Sequence, residues 1–357
     1  MQTTPDPARV AEAAANPLLN ATLATGLVLM SIFILMAGKS VLVPFAMAIL
    51  LWFIINALAR RLGRLVGRNG EPGLGALAGA ILIVVAICIG VVEIVAANAL
   101  AMVEKAPGYS NNIEAPTDRL SGLIGLKTFA EITAAIDAFD FTVIAAPLAD
   151  GFAAFAGSAS AVVIYVVFLL AEQHVIGAKL KAMVPDKARH ARISAVFAEI
   201  GQRVRTYLFT KSLTSAAMAG MVWIALAIAG VDFAGFWAFL VFVMNFIPVV
   251  GGVVSGVFPA ALALVQFPTL TPFLIVVAGV GIAHFVIGNI VEPRFVGGSV
   301  NLSPLVVILA LSVWGFIWGV AGMFLCVPIT VIGMIVFSEF RSTQPVAIAL
   351  SERGEIT

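Results

Sequence analysis

The sequence predicts an all-α polytopic membrane protein: a transmembrane bundle of about seven to eight spans, with interrupted or re-entrant helices in the C-terminal half and amphipathic helices between spans. Three observations predict it. Of 357 residues, 61% are hydrophobic and only 11% are Asp, Glu, Lys or Arg, where a soluble domain carries about 25% charged residues. The apolar residues are gathered into uncharged runs of the roughly 17 to 25 residues that cross a bilayer as helix. The runs are solidly apolar rather than alternating, which argues against barrel strands, and in lipid only helices and closed barrels satisfy every backbone group.

Along the chain, residues 1–20 read as an N-terminal tail. Ala21–Ala37, Val41–Ala59 and Gly73–Val92 contain no charged side chain and supply the first three spans, within 21–101. The first run has no basic cluster before it and leads directly into the second, so it reads as a span rather than a cleaved signal peptide. Residues 102–146 read as a small helical arm, with a weak stripe of Phe129, Ile132, Ile136 and Phe139 after a turn-rich start at Pro107, Gly108, Asn111 and Asn112. The fourth span lies within 147–171. In 172–211, Ile193, Val196, Phe197, Ile200, Val204, Tyr207 and Leu208 recur at three- and four-residue steps, the mark of an amphipathic helix. Such a helix can lie on an anionic leaflet, pack on a neighbouring subunit or cover the bundle. Residues 212–340 form a C-terminal core and 341–357 a tail.

Charge orients the chain. Arg60, Arg61, Arg64 and Arg68 stand against Glu71 in the turn after the second run, and 172–211 carries eight basic residues against three acidic ones. The arm is acidic, with Glu104, Glu114, Asp118, Glu131, Asp137 and Asp140 against Lys105, Arg119 and Lys127. Basic short loops mark the cytoplasmic side, so both basic segments and the N-terminus are expected inside and the acidic, amphipathic arm outside. A net charge of +1 gives no reason to expect a nucleic-acid partner. Cys88 and Cys326 are too few and too isolated for a disulfide framework or a metal cage.

Phe233–Val291 is 59 residues long with His284 as its one titratable residue, too long for one crossing at about 1.5 Å per residue. The sequence supplies a break at Asn245-Phe246-Ile247-Pro248-Val249-Val250-Gly251-Gly252, followed by Ser255, Gly256 and Pro259, where proline removes a donor and glycine permits unusual dihedrals. Breaks in lipid are tolerated where the freed backbone faces protein or a wet cavity, and in secondary transporters they form the substrate or ion site. A second irregular stretch runs from Glu292-Pro293-Arg294 through Gly297 and Gly298 to Asn301 and Pro304. A third, Trp314–Gly322, contains Gly315 and Gly319, a pair whose default use is close helix packing. Charge leaves open whether 233–266 and 304–338 are single crossings or re-entrant hairpins.

Ionisable groups in the membrane are candidates for coupling. His284, Gly288 and Glu292, with Gly281, fall on one helical face beside Asn289 and are expected to line a polar pathway. Histidine titrates near neutrality and can relay protons, or it can simply bond a neighbouring helix. Glu292 can pair with Arg294 or end the span at an interface. Glu93 in the third span is a second coupling candidate, or a headgroup contact. Asn245 suits a hydroxylated solute or a cation, or caps the freed backbone. Lys39 and Asp232 read as boundary anchors.

The Asn245-Phe246-Ile247-Pro248 break with Gly251 and Pro259, then Glu292-Pro293 with Asn301-Leu302-Ser303-Pro304-Leu305, then Trp314, Gly315, Gly319, Gly322 and Pro328, resemble in order and spacing the autoinducer-2 exporter family of bacterial permeases. Val43-Pro44-Phe45, Ala48 and Tyr207-Leu208 extend the likeness over nearly the whole chain, although members often carry proline where this chain has Asn56-Ala57. The resemblance implies a multispanning protein of the bacterial inner membrane, homo-oligomeric, linked in some members to export of a small polar signal and in others to sodium/proton exchange.

Catalytic motifs are absent. Gly38-Lys39-Ser40 mimics the end of a phosphate-binding loop, but Phe33 replaces its first glycine. His174, His190 and His284 have no zinc-ligand spacing. A hydrolase would need a nucleophile with a base, and Ser303 or Ser255 beside His284 is the pairing on offer. The expectation is a permease, not an enzyme, with no cofactor, moving a small polar solute or exchanging a monovalent cation for protons. A non-transporting scaffold is the third reading.

Overall fold

The computed structural model describes residues 17–66, 73–110, 157, 159–295 and 301–354. The tail to residue 16, Arg68, Glu71, the Phe129–Phe139 stripe, most of 147–158, Gly297 and Gly298 lie outside them. The described chain is nearly all helix: α1 Pro17–Ala37, α2 Lys39–Leu65, α3 Leu74–Ser110, α4 Ala159–Glu172, α5 Ile176–Met183, α6 Lys187–Ala229, α7 Ala234–Met244, α8 Val250–Gln266 and α9 Leu270–Val286. A π-helical turn, Ile287–Val291, joins α9 to α10 (Glu292–Phe295), and then come α11 (Pro304–Ser338) and α12 (Gln344–Leu350). Among the described residues six helices are long and apolar enough to cross a membrane, or seven if α4 and α5, bent by 67°, make one span. The chain is therefore a polytopic helical membrane protein.

Two elements run further than the charge pattern implies. α3 continues through Pro107 and Gly108 to Ser110, so the third span and the start of the arm are one rod. Lys105 on it meets Asp232 at 2.8 Å. The stripe read as an amphipathic helix and the uncharged run Ser212–Val231 that follows it, the expected fifth span, are likewise one helix, α6, 43 residues or about 65 Å long. Its ends are well specified: Asp186 accepts a hydrogen bond from the Arg189 N–H at 2.7 Å, the standard N-cap device. At the other end Gly230 takes φ 72° while the Gly230 and Val231 N–H groups bond the Ala227 and Leu226 carbonyls, a Schellman stop that only glycine adopts without strain. Within the stripe, Val204, Tyr207 and Leu208 are buried with Leu50, Leu325, Cys326 and Val331. This face of the stripe covers the bundle.

Both long C-terminal runs fold back on themselves. α7 and α8 lie side by side, with Trp237 stacked on Phe258 at 6.3 Å. At their base Gln266 accepts from the Asp232 N–H at 2.8 Å and donates to the Gly230 carbonyl at 3.2 Å. The chain thus leaves and re-enters at one end of the bundle, around a tip at 245–250. α11 is not straight either: Gly319 sits at φ 64°, ψ −141° in its middle. A straight 35-residue helix would span about 52 Å. Yet Ser303, just before it, bonds the Leu350 carbonyl at 3.1 Å, and the residues from Glu339 to Leu350, mostly helical, reach about 28 Å at most. The second hairpin therefore turns at 315–322.

The hairpins enter from opposite ends. Arg61 lies over the Phe209 ring at 4.1 Å, Lys211 pairs with Glu292 at 2.5 Å, and Arg192 binds the Glu339 carboxylate and carbonyl, both at 2.8 Å. These contacts gather the basic end of the bundle and the base of the second hairpin. The base of the first, at Asp232 and Gln266, lies at the other end of α6. Where the two pass, Phe246 stacks on Phe324 with centroids 4.9 Å apart.

Candidate functional site

Proline cannot donate to a helix ladder, so the helix stops ahead of Pro248. The chain then reverses tightly, the Val250 N–H reaching the Pro248 carbonyl at 2.7 Å across Val249 at φ 65°, ψ −52°. This is a γ-turn of the positive-φ kind, rare and strained, and a β-branched residue there is an outlier. Strain of this sort costs about 1 to 3 kcal/mol and persists where surrounding structure enforces it. Val249→Gly is therefore expected to leave the melting temperature of purified protein unchanged or higher. Val253→Gly, in regular helix, is expected to lower it, by about 0.5 to 1 kcal/mol in stability.

Gly251 makes the reversal possible, since a Cβ there would stand 2.4 Å from the Met244 carbonyl oxygen and 2.7 Å from the Asn245 Cα. The second tip repeats the device: a Cβ on Gly322 would fall 1.9 Å from the Trp314 carbonyl oxygen. The two tips also share Phe-Ile three residues before the positive-φ position, at Phe246-Ile247 and Phe316-Ile317, and a helix proline beyond it, at Pro259 and Pro328.

Polar side chains from three helices converge on the first tip. The Asn245 amide donates to Ser215 Oγ on α6 at 3.0 Å. Ser255 Oγ donates to the Gly252 carbonyl at 3.1 Å and lies 2.7 Å from His284 Nε2 on α9. A hydroxyl has one proton, so meeting both contacts requires His284 to donate through Nε2–H. That tautomer cannot serve as a base toward Ser255, so the pair is a hydrogen-bonded strut rather than an activated nucleophile. Gly252 leaves room for the ring, its missing Cβ being 3.4 Å from His284 Cε1. One turn from Ser215 toward the basic end, Lys211 pairs with Glu292, their side chains 13% and 32% exposed.

The structure thus brings Asn245, Pro248, Gly251, Gly252, His284 and Glu292 into one region. Gly288 and Asn289, both within the π-helical turn, are exposed, Asn289 bonding the Phe285 carbonyl at 3.2 Å. Glu292 pairs with Lys211, 81 residues away, not with Arg294. Asn301, at φ 45°, and Pro304 lead into the second hairpin, and Gly315 and Gly319 build its tip. Glu93 is exposed on α3. Ser215 and Lys211 escaped the sequence reading; Ser212, Thr214 and Ser215 are the sole hydroxyls in the fifth apolar run, a signal that marked the face.

A helical bundle with two opposed re-entrant hairpins and a polar cluster at a strained break has the make-up of a membrane permease. The chain belongs to the AI-2E transporter family, whose model matches residues 23–342. It is 29% identical over 319 residues to the AI-2 transport protein TqsA of Escherichia coli K12, covering 88% of this chain and 90% of that one. It is also 37% identical over 147 residues to the putative transport protein YhhT of Escherichia coli K12, covering 41% of this chain and 42% of that one. A putative transport protein of Borreliella burgdorferi matches at 35% over 187 residues, 51% of this chain and 50% of that one.

Proposed function

We propose that the protein is a secondary permease that moves a small polar solute past the first hairpin tip, with Asn245, Ser215, Ser255 and His284 as its polar contacts. The carrying observation is the convergence of these four side chains, three from separate helices and Asn245 from the tip itself, at a break that glycine at 251 alone permits. Donors and acceptors without a net charge at the tip suit a hydroxylated, uncharged solute. The likeness to the AI-2 transport protein TqsA makes the autoinducer-2 signal the first solute to test, in the direction of export. In this mechanism the two hairpins, entering from opposite ends, would open the tip to each side in turn, as alternating access requires.

In this reading the basic end is cytoplasmic by the positive-inside rule, the N-terminus is inside, and the protein sits in the bacterial cytoplasmic membrane as a homo-oligomer. The cation/proton alternative asks Glu292 to exchange ions, and its pairing with Lys211 speaks for the solute reading. Asn245→Leu and Pro248→Leu are expected to abolish solute efflux from loaded vesicles while the protein still reaches the membrane. His284→Ala is expected to weaken it at least about tenfold, the worth of one buried hydrogen bond left unmade. Efflux at the unaltered rate in both leucine variants would remove the tip from the pathway, and proton movement on adding sodium, lost in Glu292→Gln, would favour the antiporter.

A further inference from the structure

The elbow after α4 carries a surface that the described fold leaves open. None of the α5 residues is buried, and Ile176 and Met183 are 57% and 78% exposed. At 100° per residue, Ile176, Leu180 and Met183 share one face, with Lys179 bordering it and Lys181 on the opposite side. Lys179 also pairs with Glu172 across the elbow, which holds the bend. Beyond the helix, Lys187 and Arg189 are exposed as well.

The level of this helix is set by α2. Trp52 donates to Gln173 Oε1 at 2.9 Å, and Trp52 precedes Arg60 by about 12 Å of helix rise. Inclined at 67° to α4, the short α5, about 12 Å long, advances only about 5 Å along the α4 axis. It therefore ends about 7 Å on the apolar side of Arg60, within the roughly 5 to 10 Å depth to which an interfacial helix sinks its apolar face. An apolar ridge at that depth with a lysine on the opposite side has the form of an interfacial helix, whose lysine stems reach up to headgroups.

We propose that α5 is a seat for anionic phospholipid at the basic end of the bundle, with the Ile176–Leu180–Met183 ridge immersed among acyl chains and Lys181, Lys187 and Arg189 on headgroup phosphates. A second copy of the chain is the poorer occupant: two such ridges docked face to face would cover the apolar face but give Lys181, Lys187 and Arg189 no anion to meet. The proposal needs α4 to cross the membrane and is independent of what the hairpins carry.

The test uses the full chain with Cys88→Ser and Met183→Cys, labelled at position 183 with an environment-sensitive fluorophore; Cys326 is buried and stays unlabelled. The protein is placed in phosphatidylcholine vesicles with and without phosphatidylglycerol, each also made with acyl-chain-quencher lipids. Quenching that deepens when phosphatidylglycerol is present is expected. Native mass spectrometry of the otherwise unaltered protein provides the second measurement: Lys181→Gln and Lys187→Gln should each lower retained phosphatidylglycerol by about fivefold, the surface worth of one lysine. A label that stays in water, quenching indifferent to headgroup charge, retention unmoved by either glutamine, or label self-quenching between copies would each overturn the proposal.

Discussion

Gly322→Ala is expected to be the most damaging single methyl that can be added to this protein. Its Cβ would stand 1.9 Å from the Trp314 carbonyl oxygen and 3.0 Å from the Trp318 Cβ. The first of these is backbone, which cannot rotate aside as a side-chain end can. Overpacking a well-filled site costs about 1 to 3 kcal/mol, and a backbone clash at the turn of a hairpin belongs at or above the top of that range. Gly251→Ala, at 2.4 Å from the Met244 carbonyl oxygen, should come close behind. Thermal unfolding of the purified protein reads the effect directly. Gly281→Ala is the control: nothing lies within 4 Å of its Cβ and alanine is the better helix former, so its melting temperature should hold or rise. Equal losses in all three variants would mean that the hairpin tips are not the tight points the geometry makes them.

Removing Lys211 is expected to have the next largest effect. The ammonium is nearly enclosed, and its partner Glu292 is one-third exposed, so Lys211→Ala leaves a carboxylate facing an apolar bundle. Breaking a fully buried pair costs about 3 to 5 kcal/mol. The partial exposure of Glu292 brings the expected loss down to about 1 to 3 kcal/mol, with Glu292→Gln smaller because the amide still accepts from Lys211. The double variant Lys211→Met with Glu292→Gln should recover part of the stability, since no uncompensated charge remains. A double-mutant cycle on unfolding gives the coupling. Additive losses would show that the two charges do not stabilise one another.

Much of the fold was legible in the chain because a bilayer makes an unusually strict solvent. Apolar runs of the right length, the basic turns at Arg60 and Arg61 and the break at Pro248 all stem from the cost of placing charge or unpaired backbone in lipid. Pro248 and Gly251 in particular announce a reversal by their backbone chemistry alone. The second hairpin was harder to read: between Pro304 and Ser338 no charge marks a turn, and Gly315, Gly319 and Gly322 fit a packed straight helix as well as a tip. Helix continuity was also hidden, because α3 passes through Pro107 and Gly108 and α6 through Lys211 where local composition changes. The π-turn at Ile287–Val291 had no sequence signal.

From its amino acids alone, then, the chain was bound to be a multispanning helical protein with a weak point near Pro248, since hydrophobicity and backbone donors act locally and can be read residue by residue. Which groups gather at that point was settled only by folding. Ser215 meets Asn245, His284 meets Ser255 and Lys211 meets Glu292 across separations of 30, 29 and 81 residues. Such partners are chosen by how helices pack against one another, and packing depends on shape summed over many side chains rather than on any residue's own preference.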